Sequence, residues 1–206
     1  MGLRNAMRAA GELRAQGGML NLPNFLTLIR ILAIPFFLAL LTSHLYLEAL
    51  FVFVLGGITD FLDGAVARIR NQQTALGRYL DPVADKLLIM SSFVMLGLVG
   101  GIPSWLVVLV VSRDIIILLG YGLVRFLVEE PIEIRPSFLG KLNTLFQLVT
   151  VGVLLLFLYE PDFLVSWLDD ALIYATATTT VLSGFHYIYR GLIWLQNRAP
   201  SLRRLS

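Results

Sequence analysis

The sequence has 206 residues, of which 57% are hydrophobic and 15% charged, and its mean hydropathy of +0.80 is far above that of soluble domains. It contains no cysteine, which excludes disulfides, thiolate nucleophiles and zinc-thiolate sites. The composition favours an integral membrane protein of one domain, and no nucleic-acid partner is expected.

The chain begins with a basic segment, residues 1–20. Arg4, Arg8 and Arg14 alternate with apolar residues at helical spacing, which predicts an amphipathic juxtamembrane helix on an anionic cytoplasmic surface. A frayed tail is the alternative, because the Gly17–Gly18 pair interrupts the pattern.

Six apolar segments follow, each long enough to cross a hydrocarbon core of about 30 Å as a helix of roughly 20 residues. Their predicted bounds are Leu22–Thr42, Leu45–Arg70, Tyr79–Leu98, Pro103–Val128, Phe138–Tyr159 and Trp167–Leu195. They form one predicted domain over residues 21–198, followed by a basic cytoplasmic tail over residues 199–206. The expected fold is therefore all-α, with six transmembrane helices.

The basic residues predict the topology. None of the sixteen lysines and arginines lies in the turns at Ser43–Tyr46, Gly100–Ile102 or Glu160–Ser166, whereas the opposite helix ends carry many. The positive-inside rule then places these turns outside and both termini in the cytoplasm.

Four aspartates lie near the cytoplasmic ends of the second and third predicted helices. Asp60 and Asp63 are three residues apart, and Asp81 and Asp85 are four apart, so each pair lies on one face of its helix. The short polar turn between the helices makes them antiparallel neighbours. All four carboxylates are therefore expected to meet in one small volume.

Such a cluster requires bound cations. Charges ~4 Å apart repel by several kcal/mol even at an effective dielectric constant near 20. Carboxylate oxygens suit Mg²⁺, Mn²⁺ or Ca²⁺, and two divalent ions neutralise four carboxylates while leaving sites for phosphate oxygens. The aspartates therefore predict a two-metal phosphoryl-transfer centre.

Gly64 and Ala67 leave backbone open to a nucleotide on the Asp60 face, although tight helix packing explains either alone. Arg68 can meet a phosphate.

This motif identifies a family. The run Asp60-x-x-Asp63-Gly64-x-x-Ala67-Arg68-x8-Gly77-x3-Asp81-x3-Asp85 resembles, without a departure, the defining motif of CDP-alcohol phosphatidyltransferases. The resemblance implies that the four aspartates bind two Mg²⁺ or Mn²⁺ ions. It also implies that Asp85 is the catalytic base for the acceptor hydroxyl, with CMP as the leaving group. CDP binding is expected at Thr59, Asp60, Gly64, Ala67, Arg68 and Gly77.

Four residues outside the motif are predicted to bind the acceptor or its phosphate: Asn24, Arg30, Arg113 and Lys141. Arg30 lies about 12 Å into its helix, so a phosphate or acidic partner is expected. A structural ion pair with an aspartate is the alternative. Arg113 and Asp114 can also simply compensate each other's charge, and Lys141 can extend to the cytoplasmic interface.

The acceptor is predicted from residues around Arg113 and in the segment 135–147, which resemble CMP-forming cardiolipin synthases. Phosphatidylglycerophosphate synthases typically have an arginine where Tyr121 stands and a lysine where Asn143 stands. Fewer cations suit a singly charged phosphodiester better than a phosphate monoester. Phosphatidylglycerol is therefore the expected acceptor, and glycerol 3-phosphate is the alternative.

The expected partners are CDP-diacylglycerol, the acceptor, membrane lipids and, by resemblance, a second copy of the chain in a homodimer. The expected location is the bacterial inner membrane, with the active site facing the cytoplasm.

Two other classes of protein stay open. An intramembrane prenyltransferase also binds diphosphates through aspartates and metals, and a divalent-cation transporter also places carboxylates inside the membrane.

Overall fold

A computed structural model describes residues 22–70, 77–127, 137–163, 165 and 167–202 of the protein. Side chains are described for residues 28–59, 84, 86–120, 122, 137–162, 165, 167–193 and 196. The predicted N-terminal amphipathic segment, residues 1–20, lies outside the described residues.

The described residues form α-helices and short turns, with no strand among them. The helices are α1 (Leu22–Thr42), α2 (Tyr46–Arg70), α3 (Gly77–Leu98), α4 (Ser104–Leu127), α5 (Phe138–Tyr159) and α6 (Leu168–Leu202), and a 3-10 turn covers Pro161–Phe163. The all-helical prediction is confirmed for this part of the chain. The largest difference in bounds is in α6, which continues from the predicted Leu195 to Leu202 and so enters the predicted tail.

One described helix, α5, is long and apolar enough to cross a membrane by the criteria of length and composition. Shorter apolar stretches lie within three other helices, at Leu28–Thr42, Tyr46–Thr59 and Lys86–Leu98. Six spans and cytoplasmic termini stay predictions.

The chain divides into two units, and the boundary between Ser91 and Ser92 lies inside α3. In the first unit α1 packs against α2. Phe37 of α1 and Phe53 of α2 are buried, and their ring centroids are 5.9 Å apart. The turn between the helices requires a positive φ of 59° at His44, whose Nδ1 lies 2.6 Å from the Tyr46 hydroxyl.

In the second unit α6 packs against both α4 and α5. The α5–α6 contact is polar although both helices are largely apolar. The Thr150 and Thr176 hydroxyls are 2.7 Å apart, and the Thr180 hydroxyl donates to Asn143 Oδ1 at 2.8 Å. Hydrogen bonds between helices hold them together where neighbouring lipid offers no hydrophobic driving force.

The first turn of α5 has a side-chain cap. Ser137 has extended backbone angles, and its Oγ accepts a hydrogen bond from the Gly140 N–H at 3.0 Å. This contact satisfies one of the N–H groups that a helix leaves unpaired at its start. It explains why the helix begins at the predicted Phe138.

Gly97→Ala is expected to destabilise the second unit. An added Cβ would lie 2.6 Å from Val107 Cγ2, and the β-branched valine cannot easily rotate away. We expect a loss of about 1–3 kcal/mol, measured as a lower melting temperature of the purified protein in detergent. Gly120→Ala is the matched control, because a Cβ there meets nothing within 4 Å. An equal loss in both variants would contradict this packing explanation.

Candidate active site

The helices α2 and α3 carry the two halves of the aspartate motif. Asp60 and Asp63 lie in α2, and Asp81 and Asp85 lie in α3. The predicted helical spacing of each pair is therefore present in the backbone. The side chains of these four residues lie outside the described ones.

A contact between Gly56 and Leu88 relates α2 to α3. A Cβ built on Gly56 would lie 3.5 Å from Leu88 Cδ2, an ordinary van der Waals distance, so the Leu88 side chain reaches α2 at this level. Both residues lie within the first unit. Because the sequence predicts that α2 and α3 are antiparallel, positions equally far from this contact along each helix are expected at similar levels.

Counting from that contact toward the connection brings both aspartate pairs to matching levels. Asp60 is four residues beyond Gly56, and Asp85 is three residues before Leu88. Asp63 and Asp81 are each seven residues from their respective contact residue. At about 1.5 Å rise per residue, the levels of the two pairs agree within a few ångströms. This register supports the expectation that the two pairs face one centre.

The chemistry of this donor set fits a hard divalent cation. Four carboxylates offer oxygen atoms alone, the ligands that Mg²⁺ and Mn²⁺ prefer. Among the side chains that the structure describes, no group of three or more His, Asp or Glu could hold a metal, and the four aspartates are not among those side chains. The two-metal assignment stays a prediction from the motif and the helix register.

The predicted CDP-binding residues lie along the same two helices. Thr59 is half-buried, and its hydroxyl donates to the carbonyl oxygens of Leu55 and Gly56, both at 2.9 Å. The oxygen of that hydroxyl can still accept a hydrogen bond. The remaining positions lie in α2 or at the start of α3, with side chains outside the described ones: Asp60, Gly64, Ala67, Arg68 and Gly77.

Arg113 of α4 has the most completely described surroundings of the predicted site residues. Its guanidinium is buried, with Nη1 2.5 Å from Asp114 Oδ1 and Nη2 donating to the Ser183 hydroxyl of α6. Its Cζ lies 5.5 Å from the centre of the Tyr187 ring. Nε is buried and has no hydrogen-bond partner among the described residues.

The surroundings of Arg113 agree with both interpretations, charge compensation by Asp114 and binding of an acceptor phosphate. The ion pair with Asp114 is present, as expected for charge compensation. However, the Nε–H of the guanidinium has no acceptor among the described residues. A buried charged donor is costly when it lacks a partner. Arg113 therefore has the means to bind an anion in addition to its partners.

The other predicted acceptor residues differ in burial. Arg30 is buried in α1, with 4% of its surface exposed, whereas Lys141 is exposed in the first turn of α5. The exposure of Lys141 agrees with either phosphate binding or an interfacial position. Asn24 lies in the first turn of α1, and its side chain is outside the described ones. Their binding roles stay predictions.

A groove of about 190 Å³ lies between α4 and α6 beside Arg113. Its walls are mostly aliphatic and aromatic, including Ile116, Val181 and Phe185, and Ser112 and Thr180 also line it. It therefore combines an apolar wall with one buried cation.

Ser183 and Tyr187, the residues of α6 that contact Arg113, were not predicted from the sequence. No local motif joins them to Arg113, since Ser183 is 70 residues away in sequence. A usable signal is a stripe of small polar residues in a largely apolar helix, formed by Thr176, Thr180 and Ser183 at spacings of four and three. Such a stripe predicts a polar contact with a neighbouring helix.

Comparison with known proteins identifies the family. The family model of CDP-alcohol phosphatidyltransferases matches residues 20–182. The probable phosphatidylglycerophosphate synthase of Mycobacterium tuberculosis (strain CDC 1551 / Oshkosh) is 33% identical over 194 residues, with 91% of this chain and 90% of the relative covered. The match extends well beyond the motif.

Two further relatives carry the name CDP-diacylglycerol–glycerol-3-phosphate 3-phosphatidyltransferase. The protein from Bacillus subtilis (strain 168) is 32% identical over 185 residues, and that from Sodalis glossinidius (strain morsitans) is 35% identical over 181. Each alignment covers 82% of this chain and 94% of the relative.

The names of these relatives refer to glycerol 3-phosphate or to phosphatidylglycerophosphate, which correspond to the alternative acceptor and not to the expected phosphatidylglycerol. The expectation depended on a local resemblance around Arg113 and in the segment 135–147, and on the missing cations at Tyr121 and Asn143. A phosphate monoester can draw its cations from other positions, so two local differences weigh less than similarity over most of the chain. Family and similarity together assign the enzyme type, and we conclude that this chain belongs to the membrane-integral family of CDP-alcohol phosphatidyltransferases.

Proposed function

We propose that this enzyme transfers the phosphatidyl group of CDP-diacylglycerol to glycerol 3-phosphate, releasing CMP and forming phosphatidylglycerophosphate. The observation that supports the reaction is the complete aspartate motif, which lies on α2 and α3. The contact between Gly56 and Leu88 agrees with a register in which both pairs lie at one level. The names of the relatives support the choice of acceptor.

The four aspartates would hold two divalent ions. When bound, these ions supply positive charge to the pyrophosphate and to the oxygen that leaves with CMP. Asp60, Asp63 and Asp81 act as ligands, while Gly64, Ala67 and Gly77 leave room for the CDP moiety. Without bound cations, these aspartates would be costly within hydrocarbon.

Asp85 has a second role as the base. The acceptor hydroxyl oxygen forms a bond to the phosphorus that carries diacylglycerol, and the bond between that phosphorus and the bridging oxygen of the pyrophosphate breaks. The electron pair leaves with CMP, and the hydroxyl proton passes to the Asp85 carboxylate. A base in hydrogen-bond reach of the hydroxyl contributes about 10²- to 10⁴-fold to such a step.

Arg113 is proposed to bind the phosphate of the acceptor. Its guanidinium is buried and oriented by Asp114 and Ser183, and its Nε has no partner among the described residues. Guanidinium N–H groups form strong, directed hydrogen bonds to phosphate oxygens. Lys141, Arg30 and Asn24 are proposed as further contacts to the acceptor or its phosphate.

Phosphatidylglycerol is a second candidate acceptor, and one observation favours it. The groove beside Arg113 has an apolar wall that would suit the acyl chains of a lipid acceptor. The product would then be cardiolipin. Glycerol 3-phosphate has no apolar part and would leave this wall to membrane lipid.

The acceptor can be tested directly with the purified protein. We expect CMP release from CDP-diacylglycerol in Mg²⁺ with glycerol 3-phosphate, and much less with phosphatidylglycerol. Mass spectrometry of the lipid product distinguishes phosphatidylglycerophosphate from cardiolipin. CMP release with phosphatidylglycerol but not with glycerol 3-phosphate would reverse the choice of acceptor. Isoprenyl diphosphate turnover, or Mn²⁺ flux without lipid turnover, would contradict the reaction itself.

We further propose that the protein resides in the bacterial inner membrane with its site facing the cytoplasm. The asymmetric distribution of basic residues supports this orientation, and CMP and glycerol 3-phosphate are water-soluble molecules of that compartment. A homodimer is proposed on family resemblance.

A further inference from the structure

We infer that α6 positions Arg113 for the acceptor: Ser183 and Tyr187 hold its guanidinium in one orientation and thereby set the affinity for the acceptor phosphate without touching it. This inference rests on the proposed role of Arg113. Both residues belong to the second unit, as Arg113 does. Neither is part of the family motif.

Ser183 provides the first constraint. It is fully buried, and its hydroxyl accepts a hydrogen bond from Arg113 Nη2, while Asp114 accepts one from Nη1. A guanidinium with one partner on each terminal nitrogen cannot turn about its long axis without breaking a buried hydrogen bond. Its Nε–H, which has no hydrogen-bond partner among the described residues, is therefore held in a fixed direction.

Tyr187 provides the second constraint. Its ring lies beside the guanidinium, with 5.5 Å between Arg113 Cζ and the ring centre. The tip of the ring lies close to α5 at Gly140, where an added Cβ would be only 2.7 Å from the Tyr187 hydroxyl oxygen. The glycine thus lets α5 close on the ring, and the ring in turn covers the guanidinium.

Gly184 completes the contact surface of α6. A Cβ there would lie 3.5 Å from Arg113 Cγ, so the stem of the arginine runs close along the backbone of α6. Three positions within about one turn of α6 therefore contact the stem, one terminal nitrogen and the face of the same side chain. Surface arginines rarely have contacts on so many sides, because their side chains retain large rotamer entropy.

Orientation matters here because Asp114 compensates the charge. A neutral arginine–aspartate pair attracts an anion weakly at long range, so binding depends on the directed N–H groups. If the guanidinium were free to rotate, ordering it would reduce affinity for the acceptor. Residues that fix it in advance should therefore change the acceptor KM while leaving the chemical step alone.

The first test removes the Ser183 hydroxyl. We expect Ser183→Ala to raise the KM of the acceptor by about tenfold, the usual effect of losing a hydrogen bond to a charged group. The kcat and the KM of CDP-diacylglycerol should stay within about twofold of wild type. Ser183→Thr keeps the hydroxyl and should restore the acceptor KM. Thr178→Ala is the matched control, because this exposed hydroxyl of α6 donates to its own helix at Tyr174 O.

The second test separates the Tyr187 ring from its hydroxyl. Tyr187→Phe retains the ring and should keep the wild-type acceptor KM, whereas Tyr187→Leu should raise it by about fivefold through loss of the cation–π contact. This pair also decides the matter if Ser183→Ala does not yield folded protein. Melting temperatures of all variants should be measured in the same detergent.

Two results would overturn the inference. One is an unchanged acceptor KM in both Ser183→Ala and Tyr187→Leu. The other is a lower melting temperature together with equal changes in the KM of the acceptor and the KM of CDP-diacylglycerol. That result would indicate that Ser183 and Tyr187 only hold the helices together. Arg113→Gln separates the two proposals. If it leaves the acceptor KM unchanged, the proposed role of Arg113 fails as well. If it raises the acceptor KM and the α6 variants do not, the positioning role alone fails.

Discussion

Asp85→Asn is expected to reduce CMP release by about 10²- to 10⁴-fold, while CDP-diacylglycerol still binds. The amide has nearly the shape of the carboxylate but cannot take up the proton of the acceptor hydroxyl. Its oxygen can still ligate a metal, although without negative charge. Single-turnover CMP release measures the chemical step, and the rise in melting temperature with CDP-diacylglycerol measures binding.

The matched control for this substitution is Asp170→Asn. Asp170 is an exposed carboxylate in the first turn of α6, outside the aspartate motif, so its loss should leave the rate unchanged. If Asp85→Asn kept a rate within about threefold of wild type, Asp85 would be a ligand at most. The proton would then have another acceptor.

The helices could be predicted closely because their ends carry local signals. The start of α5 at Phe138 coincides with the Ser137 cap, and its end at Tyr159 precedes the Glu160–Pro161 pair. The end of α6 could not be predicted in this way. An apolar run estimates how much of a helix fits into hydrocarbon, but the helix continues through Gln196–Arg198 to Leu202, where polar residues suit water.

The site was predictable to the extent that it is encoded within single helices. Spacings of three and four residues predict two aspartate pairs on helix faces, and a short connection predicts neighbouring helices. The contacts of Arg113 were not predictable, because they depend on how α4 packs against α6. The sequence predicts a polar stripe on α6 but does not say which residue of another helix meets it.

The acceptor illustrates a different limit. The absence of a cation at Tyr121 and Asn143 predicted a singly charged acceptor, yet Asn143 has a structural role that local comparison could not show. It is fully buried, and its Oδ1 accepts hydrogen bonds from Thr180 and Thr179. A residue that joins α5 to α6 is a weak indicator of what the enzyme binds.

Asp63→Ala is expected to abolish both turnover and the stabilisation of the protein by metal. The substitution removes one of the carboxylates that would neutralise two divalent ions. A ligand that binds only folded protein stabilises it by about 2.7 kcal/mol at 100 times its dissociation constant. Wild-type protein treated with chelator should therefore regain activity and melting temperature on addition of Mg²⁺ or Mn²⁺. Asp63→Ala should regain neither at the same concentrations.

Glu48→Ala is the control on the same helix. Glu48 is an exposed carboxylate in the first turn of α2, at the end of that helix opposite to Asp63. General loss of charge from α2 would affect both variants, whereas loss of a metal ligand affects Asp63→Ala alone. A metal-dependent rise in melting temperature that persisted in Asp63→Ala would mean that α2 does not share the ions with α3. In that case the matched register at Gly56 and Leu88 would have a structural role, and the reaction would need another source of positive charge.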